Sequence, residues 1–308
     1  MTTLLDMIDE VSMNLSGYTL QQDRATHITV NVAATASTIA APITLSLAST
    51  DSVGKGIVEI DEELFWVDNY DRVGNTATIA PYGRAYIGTT LAAHTAGTKV
   101  SIAPTFPRFV IKRAINDTIS AIGSSIFAAN KTTITSNIST SAFRLPATGA
   151  SLNIRSILAV AYESIGPSKE WIPIRNYRFD SNANSTAFTS EQTISIYDMI
   201  TSGRTIQVVY STDPVPFATN ADVFTTQTGL PESCKDLVIL GATYRLLSNL
   251  DPARASMVSP QADETDSKRP YGSSQSLTKQ VYALFNQRLN EEIRNQQDKY
   301  PIRVHYSL

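Results

Sequence analysis

The chain of 308 residues has a single cysteine, Cys234, and three histidines, His27, His94 and His305. One thiol excludes a disulfide framework and a four-thiolate metal site. The three histidines stand far from one another and from other ligand-type spacings, so the sequence predicts no zinc centre and no histidine-centred catalytic set. Each reads as a surface or turn histidine. Charge is scarce as well: Asp, Glu, Lys and Arg make up 17% of the chain, well below the roughly 25% of average globular proteins. With a net charge of −3, no basic stripe is available for sequence-specific nucleic-acid reading. No run of about 18 apolar residues is present to span a membrane. The opening segment lacks a positive n-region and carries Asp6, Asp9 and Glu10, which argues against a signal peptide.

The chain has two kinds of periodicity. Residues 1–22, 107–129, 231–250 and 275–299 carry apolar positions at helical spacing. In the first, Leu4, Ile8, Val11 and Leu15 recur; Thr3 suits an N-cap and Gly17 a stop. In the second, Ile111, Ile115, Ile119, Ile122 and Ile126 make a stripe opposite Lys112, Arg113, Asn116 and Asp117, and Pro107 sits where a helix can begin. The third shows Leu237, Leu240, Tyr244 and Leu247; the fourth shows Leu277, Val281, Leu284, Phe285, Leu289 and Ile293. Residues 26–103 and 138–229 instead carry Thr- and Val-rich runs punctuated by turn residues. Ile57–Ile60 and Leu64–Val67 flank Asp61-Glu62-Glu63, a hairpin with an acidic tip expected to be solvated.

The expected fold class is α+β. A four-helix bundle is assembled from separated segments, with two inserted β-rich domains of barrel or sandwich type. The boundaries predicted are 1–25 (bundle helix), 26–103 (small β domain), 104–130 (bundle helix), 131–229 (β-sandwich), 230–299 (two bundle helices with a long loop, 251–274) and 300–308 (a C-terminal arm). The expected bundle core includes Ile111, Ile115, Ile119, Ile122, Leu240, Leu284 and Leu289. In the arm, Ile302, Val304, Tyr306 and Leu308 alternate with Arg303, His305 and Ser307, a period-two pattern suited to strand addition onto another chain.

Few residues invite chemistry. Asp61, Glu62 and Glu63 would serve a hydrolase only if they converged in a cleft. Trp171 with Tyr162, Tyr177 and Phe179 would make a sugar platform only if the rings were exposed together; Trp171 alone reads as a core residue between sheets. Cys234 lies near a helix start, where a thiolate is favoured, but reads as buried filler. Gly54-Lys55-Gly56 lacks the spacing of a phosphate loop, and Gly83-Arg84-Ala85-Tyr86-Ile87-Gly88 reads as a tight turn. No catalytic, metal or cofactor site is expected.

Three stretches together resemble a module common in virion proteins of tailed bacteriophages: Ile60-Asp61-Glu62-Glu63-Leu64-Phe65-Trp66-Val67, Gly83-Arg84-Ala85-Tyr86-Ile87-Gly88-Thr89-Thr90, and Ala92-Ala93-His94-Thr95-Ala96-Gly97-Thr98-Lys99-Val100. The surrounding helices and the closing Leu289–Leu308 resemble a head-to-tail adaptor (connector) of a long-tailed phage. The resemblance implies a non-enzymatic virion part, made in the bacterial host cytoplasm and active in the phage neck. It implies a ring, usually a dodecamer, beneath the portal protein and against the next neck or tail-completion protein. Double-stranded DNA would pass through the channel without sequence-specific binding. The two large β insertions depart from the small adaptors. A carbohydrate-binding neck or baseplate protein, using 131–229 and Trp171, is the alternative.

Overall fold

A computed structural model describes residues 2–17, 24–137, 139–146, 153–166, 169–248 and 273–301. The chain forms two compact units. One comprises residues 1–4, 116–238 and 282–308; the other comprises 5–115 and 239–281.

The second of these units contains an antiparallel six-stranded sheet: β1 (Arg24–His27), β2 (Thr44–Ser46), β3 (Gly56–Ile60), β4 (Glu63–Asp71), β5 (Thr76–Ile79) and β6 (Lys99–Ile102). The order is β1-β6-β3-β4-β5-β2. Just beyond the two outer strands, Ile28 bridges Leu47. The Thr29 amide donates to Ser46 (2.8 Å) and the Ala48 amide to His27 (2.9 Å). The sheet thereby curls until its own edges meet, the usual way a small all-β module removes sticky edges. Ile28, Leu45, Leu47, Val58, Ile60, Phe65, Val67, Ile79 and Val100 fill the interior. The anticipated hairpin is present, with Ile60 paired to Glu63 across Asp61-Glu62. Asp61 takes a φ of 55°, which the short polar Asp tolerates.

Gly83 closes against this hairpin. Its carbonyl accepts from the Trp66 amide at 2.7 Å, and an added Cβ would lie 2.9 Å from both the Ala80 and Trp66 carbonyl oxygens. Gly83→Ala is therefore expected to cost about 1–3 kcal/mol, measured as a lowered urea midpoint for loss of barrel structure.

The other unit holds a two-layer β-sandwich. Strands β7 (Ala128–Thr135), β9 (Ile154–Glu163), β10 (Trp171–Pro173) and β13 (Thr205–Thr212) form one antiparallel sheet in the order β10-β9-β13-β7. Strands β8 (Ala142–Arg144), β11 (Tyr177–Asp180) and β12 (Thr193–Ile196) form the other in the order β11-β12-β8. Val160, Ile206, Val208 and Tyr210 of the first sheet share one core with Ile194 and Ile196 of the second, as the inner faces of two packed sheets do.

Five α-helices are described: α1 (Leu4–Ser16), α2 (Arg108–Ile122), α3 (Phe224–Thr228), α4 (Lys235–Leu247) and α5 (Ser273–Lys299). The expected four-helix bundle is not evident among the described residues. The boundary between the two compact units falls within α1, α2, α4 and α5, so these helices do not form a helical unit of their own. Periodicity identifies which face of a helix is apolar, not what will cover it; here the four periodic helices are divided between two units that each also contain β-sheet.

The details differ too. Helix α2 stops at Ile122, where the Ser125 and Ile126 amides both return to the Ile122 carbonyl. Ile126 is buried beyond the helix end, and its spacing alone could not reveal the turn at Gly123. Residues 128–129, expected in the helix, open β7. Ile111, Ile115, Ile119 and Ile122 are buried, whereas Leu240 and Leu289 are half-buried and Leu284 is 47% exposed. In α4, Leu237, Val238, Ile239, Ala242, Leu246 and Leu247 are the buried hydrophobic residues. In α5, Val281 and Phe285 are buried, but the face continues through polar Glu292 and half-buried Gln296.

Candidate functional site

The densest polar cluster lies at the β3–β4 end of the barrel. Glu63 begins β4, and both its oxygens are enclosed. Oε1 accepts from Arg84 Nε (2.9 Å) and the Ala85 amide (3.1 Å). Oε2 accepts from Arg84 Nη2 (2.7 Å), the Ala92 amide (2.9 Å) and His94 Nε2 (3.0 Å). The Glu63 and Arg84 side chains are 0% and 1% exposed. Arg84 spends its remaining donors on the carbonyls of Ala33, Thr35 (3.1 Å) and Ala92 (2.5 Å). Its guanidinium lies 4.9 Å from the Phe65 ring centroid. One guanidinium thus joins β4 to residues 33–35 and 84–92, using the planar five-donor fork that only Arg supplies.

His94 completes the cluster. Its Nδ1 faces Asp61 Oδ2 at 2.7 Å and its Nε2 faces Glu63. Two acceptor-only carboxylates require both ring nitrogens to donate, which is the imidazolium form. Burial opposes that charge, but the bonds to Glu63 and Asp61 outweigh it and raise the His94 pKa above 6.5. Burial likewise works against the Glu63 carboxylate. Its bonds from His94, Arg84, Ala92 and Ala85 prevail and bring its pKa from 4.5 to about 2.

This corrects the expectation of a solvated acidic tip and of a surface His94. Asp61 is exposed, 60% for its side chain, and Glu62 is half-buried with Lys112 Nζ 3.2 Å away. Glu63 is instead the hub of a buried ion cluster, and His94 is buried against it. An alanine at Glu63 is therefore not a neutral surface change. The sequence does carry a signal for this. Between Arg72 and Lys99, Arg84 is the only Asp, Glu, Lys or Arg, and a lone cation among small and apolar residues needs a buried partner. The turn expected at 83–88 is present, with Ala85 and Ile87 both at positive φ. Thr89 Oγ1 donates to the Tyr86 carbonyl and accepts from the Leu64 amide, each at 3.1 Å. The residues of the phage-type module are thus the residues that tie these loops together. Because Glu63, Arg84 and His94 satisfy one another out of reach of solvent, the cluster is built to hold loops rather than to act on a substrate.

The other candidates are dispersed. Trp171 lies on edge strand β10, paired with Glu163, and is 44% exposed, not placed between the sheets. Tyr162, Tyr177 and Phe179 pack against the sandwich core instead of sharing its surface. Cys234 is buried, and burial together with Glu292 pushes its thiol up to about 12, so it is an unreactive filler. His27 is exposed on β1. Ile302, Val304, Tyr306, Leu308, His305 and residues 251–272 of the expected loop 251–274 lie outside the described residues, while 273–274 already belong to α5.

What leads to the arm is well defined. In α5, Arg288 contacts Asp236 (2.7 Å), Glu291 (2.6 Å) and Glu292 (2.9 Å). Gln296 Nε2 donates to the Phe127 carbonyl at 2.6 Å, and its Oε1 accepts from the Phe127 amide at 3.1 Å. The Tyr300 ring lies 5.9 Å from that of Phe127.

Residues 89–305 match the family described as SU10 adaptor protein. The chain belongs to the SU10 adaptor protein family. No curated protein matches it. The match takes in the end of the barrel, the sandwich and helices α2 to α5, and leaves β1–β5 outside. Membership makes this chain a structural component of the bacteriophage virion, a head-to-tail adaptor rather than a member of an enzyme class. It also implies contact with portal and tail proteins and association with further copies. No helix among the described residues is long and apolar enough to cross a membrane.

Proposed function

We propose that this adaptor closes into a ring, a dodecamer, beneath the portal and extends the DNA channel toward the tail. The observation that carries the reading is the family match across residues 89–305. A ring of identical head-to-tail contacts suits a part that must match the axial symmetry of a neck. The weakly acidic chain, net −3, suits a wall past which double-stranded DNA moves without adhering, since like charge discourages phosphate contact. The mechanism is geometric: the ring continues the portal channel and offers a docking face to the next neck or tail-completion protein.

The C-terminal arm, 300–308, is the proposed portal-docking element, with Ile302, Val304, Tyr306 and Leu308 as the inserting face. Each such group contributes about 1.5–3 kcal/mol on burial, against about 1–2 kcal/mol per residue for ordering the backbone. A near balance makes docking depend on added hydrogen bonds and on many arms acting together. Deleting 302–308 is expected to leave the melting of the free subunit nearly unchanged and to abolish its joining to purified portal, scored by negative-stain imaging and co-sedimentation. A truncated protein that joined the portal normally would remove the arm from the interface. Absence of rings from full-length protein with portal would remove the ring reading itself.

A further inference from the structure

We infer that the outer edge of β7 is a strand-docking site for residues 302–308 of the same chain, which add to the sandwich as a parallel fifth strand. Three observations, all within one compact unit, converge on it. The first is the edge. β7 ends its sheet, with β13 as its one neighbour among the described residues. All eight residues, Ala128 to Thr135, pair with β13 in one unbroken register. No proline and no bulge interrupts that pairing, and Lys131 is its sole charged residue. Edge strands are ordinarily blunted by such features, so this one remains a template for another strand.

The second observation is delivery. The doubly bonded Gln296 amide and the Tyr300 ring fix the end of α5 to Phe127, the residue immediately before β7. The chain leaving Pro301 therefore starts beside the first residue of the open edge. A strand that starts there and follows the edge runs in the direction of β7. The pairing is then parallel, and the sheet becomes a mixed one of a common kind.

The third is pattern and length. Ile302, Val304, Tyr306 and Leu308 alternate with Arg303, His305 and Ser307. Along β7, Ala128, Asn130, Thr132 and Ile134 are the less exposed set, and Ile134 is a half-covered residue on the rim of the sandwich core. A parallel partner with its apolar side chains on that face would complete the cover of Ile134. Seven residues at about 3.3 Å each span nearly the whole of β7. The pairing does not depend on the ring reading. Its consequence for assembly is that the arm reaches the portal only by leaving β7, so the edge holds the arm until a better partner is present.

Hydrogen exchange followed by NMR or mass spectrometry tests this on the full chain and on a chain ending at Pro301. The β7 amides that point away from β13 are expected to be protected in the full chain. They should exchange at least about tenfold faster once 302–308 are removed, while amides of residues 205–212 stay unchanged. Val304→Pro, which removes a ladder donor, should reproduce the loss, and Ser307→Ala should not. Equal β7 exchange with and without 302–308 would overturn the pairing. So would protection that rises with protein concentration, because another copy would then be the occupant. A truncation that fails to join the portal yet leaves β7 exchange unaltered sinks this inference alone and leaves the adaptor reading standing.

Discussion

Arg84→Ala is expected to destabilise the barrel by about 3–5 kcal/mol, the cost of leaving a buried charge without its partner. The guanidinium makes five hydrogen bonds, two to Glu63 and three to the carbonyls of Ala33, Thr35 and Ala92. Its loss strands a carboxylate with no exposed surface and frees the loops on either side. Arg84→Lys should recover little, since an ammonium offers one point of charge where a fork bridges two carboxylate oxygens and three carbonyls. Replacing Glu63 and Arg84 together with apolar residues of similar volume should cost less than removing Arg84 alone, because no unpaired charge is left. Hydrogen exchange of β3 and β4 amides reads the barrel directly, apart from the sandwich. Exchange in Arg84→Ala within about 0.5 kcal/mol of the parent would mean that the cluster does not hold the barrel.

Much of the architecture was legible because it is local. The β3–β4 hairpin, the helix start after Pro107 and the α2 stripe are dictated by alternation, proline and 3.6-residue spacing, which neighbouring residues set among themselves. The bundle was not legible, because a stripe such as Ile111–Ile122 carries no address for its partner. The reading of α5 failed in an instructive way. Leu284 and Leu289 fit an apolar pattern, yet the helix turns Glu292 and Gln296 inward, where Ser233 and the Phe127 backbone satisfy them. The ion cluster was missed for a related reason. Asp61-Glu62-Glu63 looks like one solvated run, and only the fold separates exposed Asp61 from buried Glu63 by bringing Arg84 and His94 from 21 and 31 positions away. The adaptor family was legible through the resemblance of whole segments rather than through any single residue's chemistry.

The barrel should also carry its own pH profile. Glu63 has a folded pKa of about 2 against 4.5, so its contribution is fully present above 4.5 and is lost as pH falls toward 2. A shift of that size corresponds to about 3 kcal/mol. His94 has the opposite sign. Its folded pKa lies above 6.5, so its contribution is fully present below 6.5 and is lost as pH rises through the folded value. Between about 4.5 and 6.5 both contributions are complete, and barrel protection should be greatest there. Above that window deprotonation removes one of the two ring donors, leaving Asp61 or Glu63 without its His94 bond while Arg84 still holds Glu63. The alkaline limb should therefore be shallower than the acid one and confined to residues 61–64 and 84–94. His94→Gln should abolish the alkaline limb and leave the acid limb in place, since Arg84 and the Ala85 and Ala92 amides still bind Glu63. Both limbs can be followed by exchange of β4 amides across pH after correction for intrinsic rates, and the imidazole itself by NMR titration of its ring nitrogens. A His94 midpoint below 6.5 would show that burial overrides the two carboxylates, and the alkaline limb would then have no source.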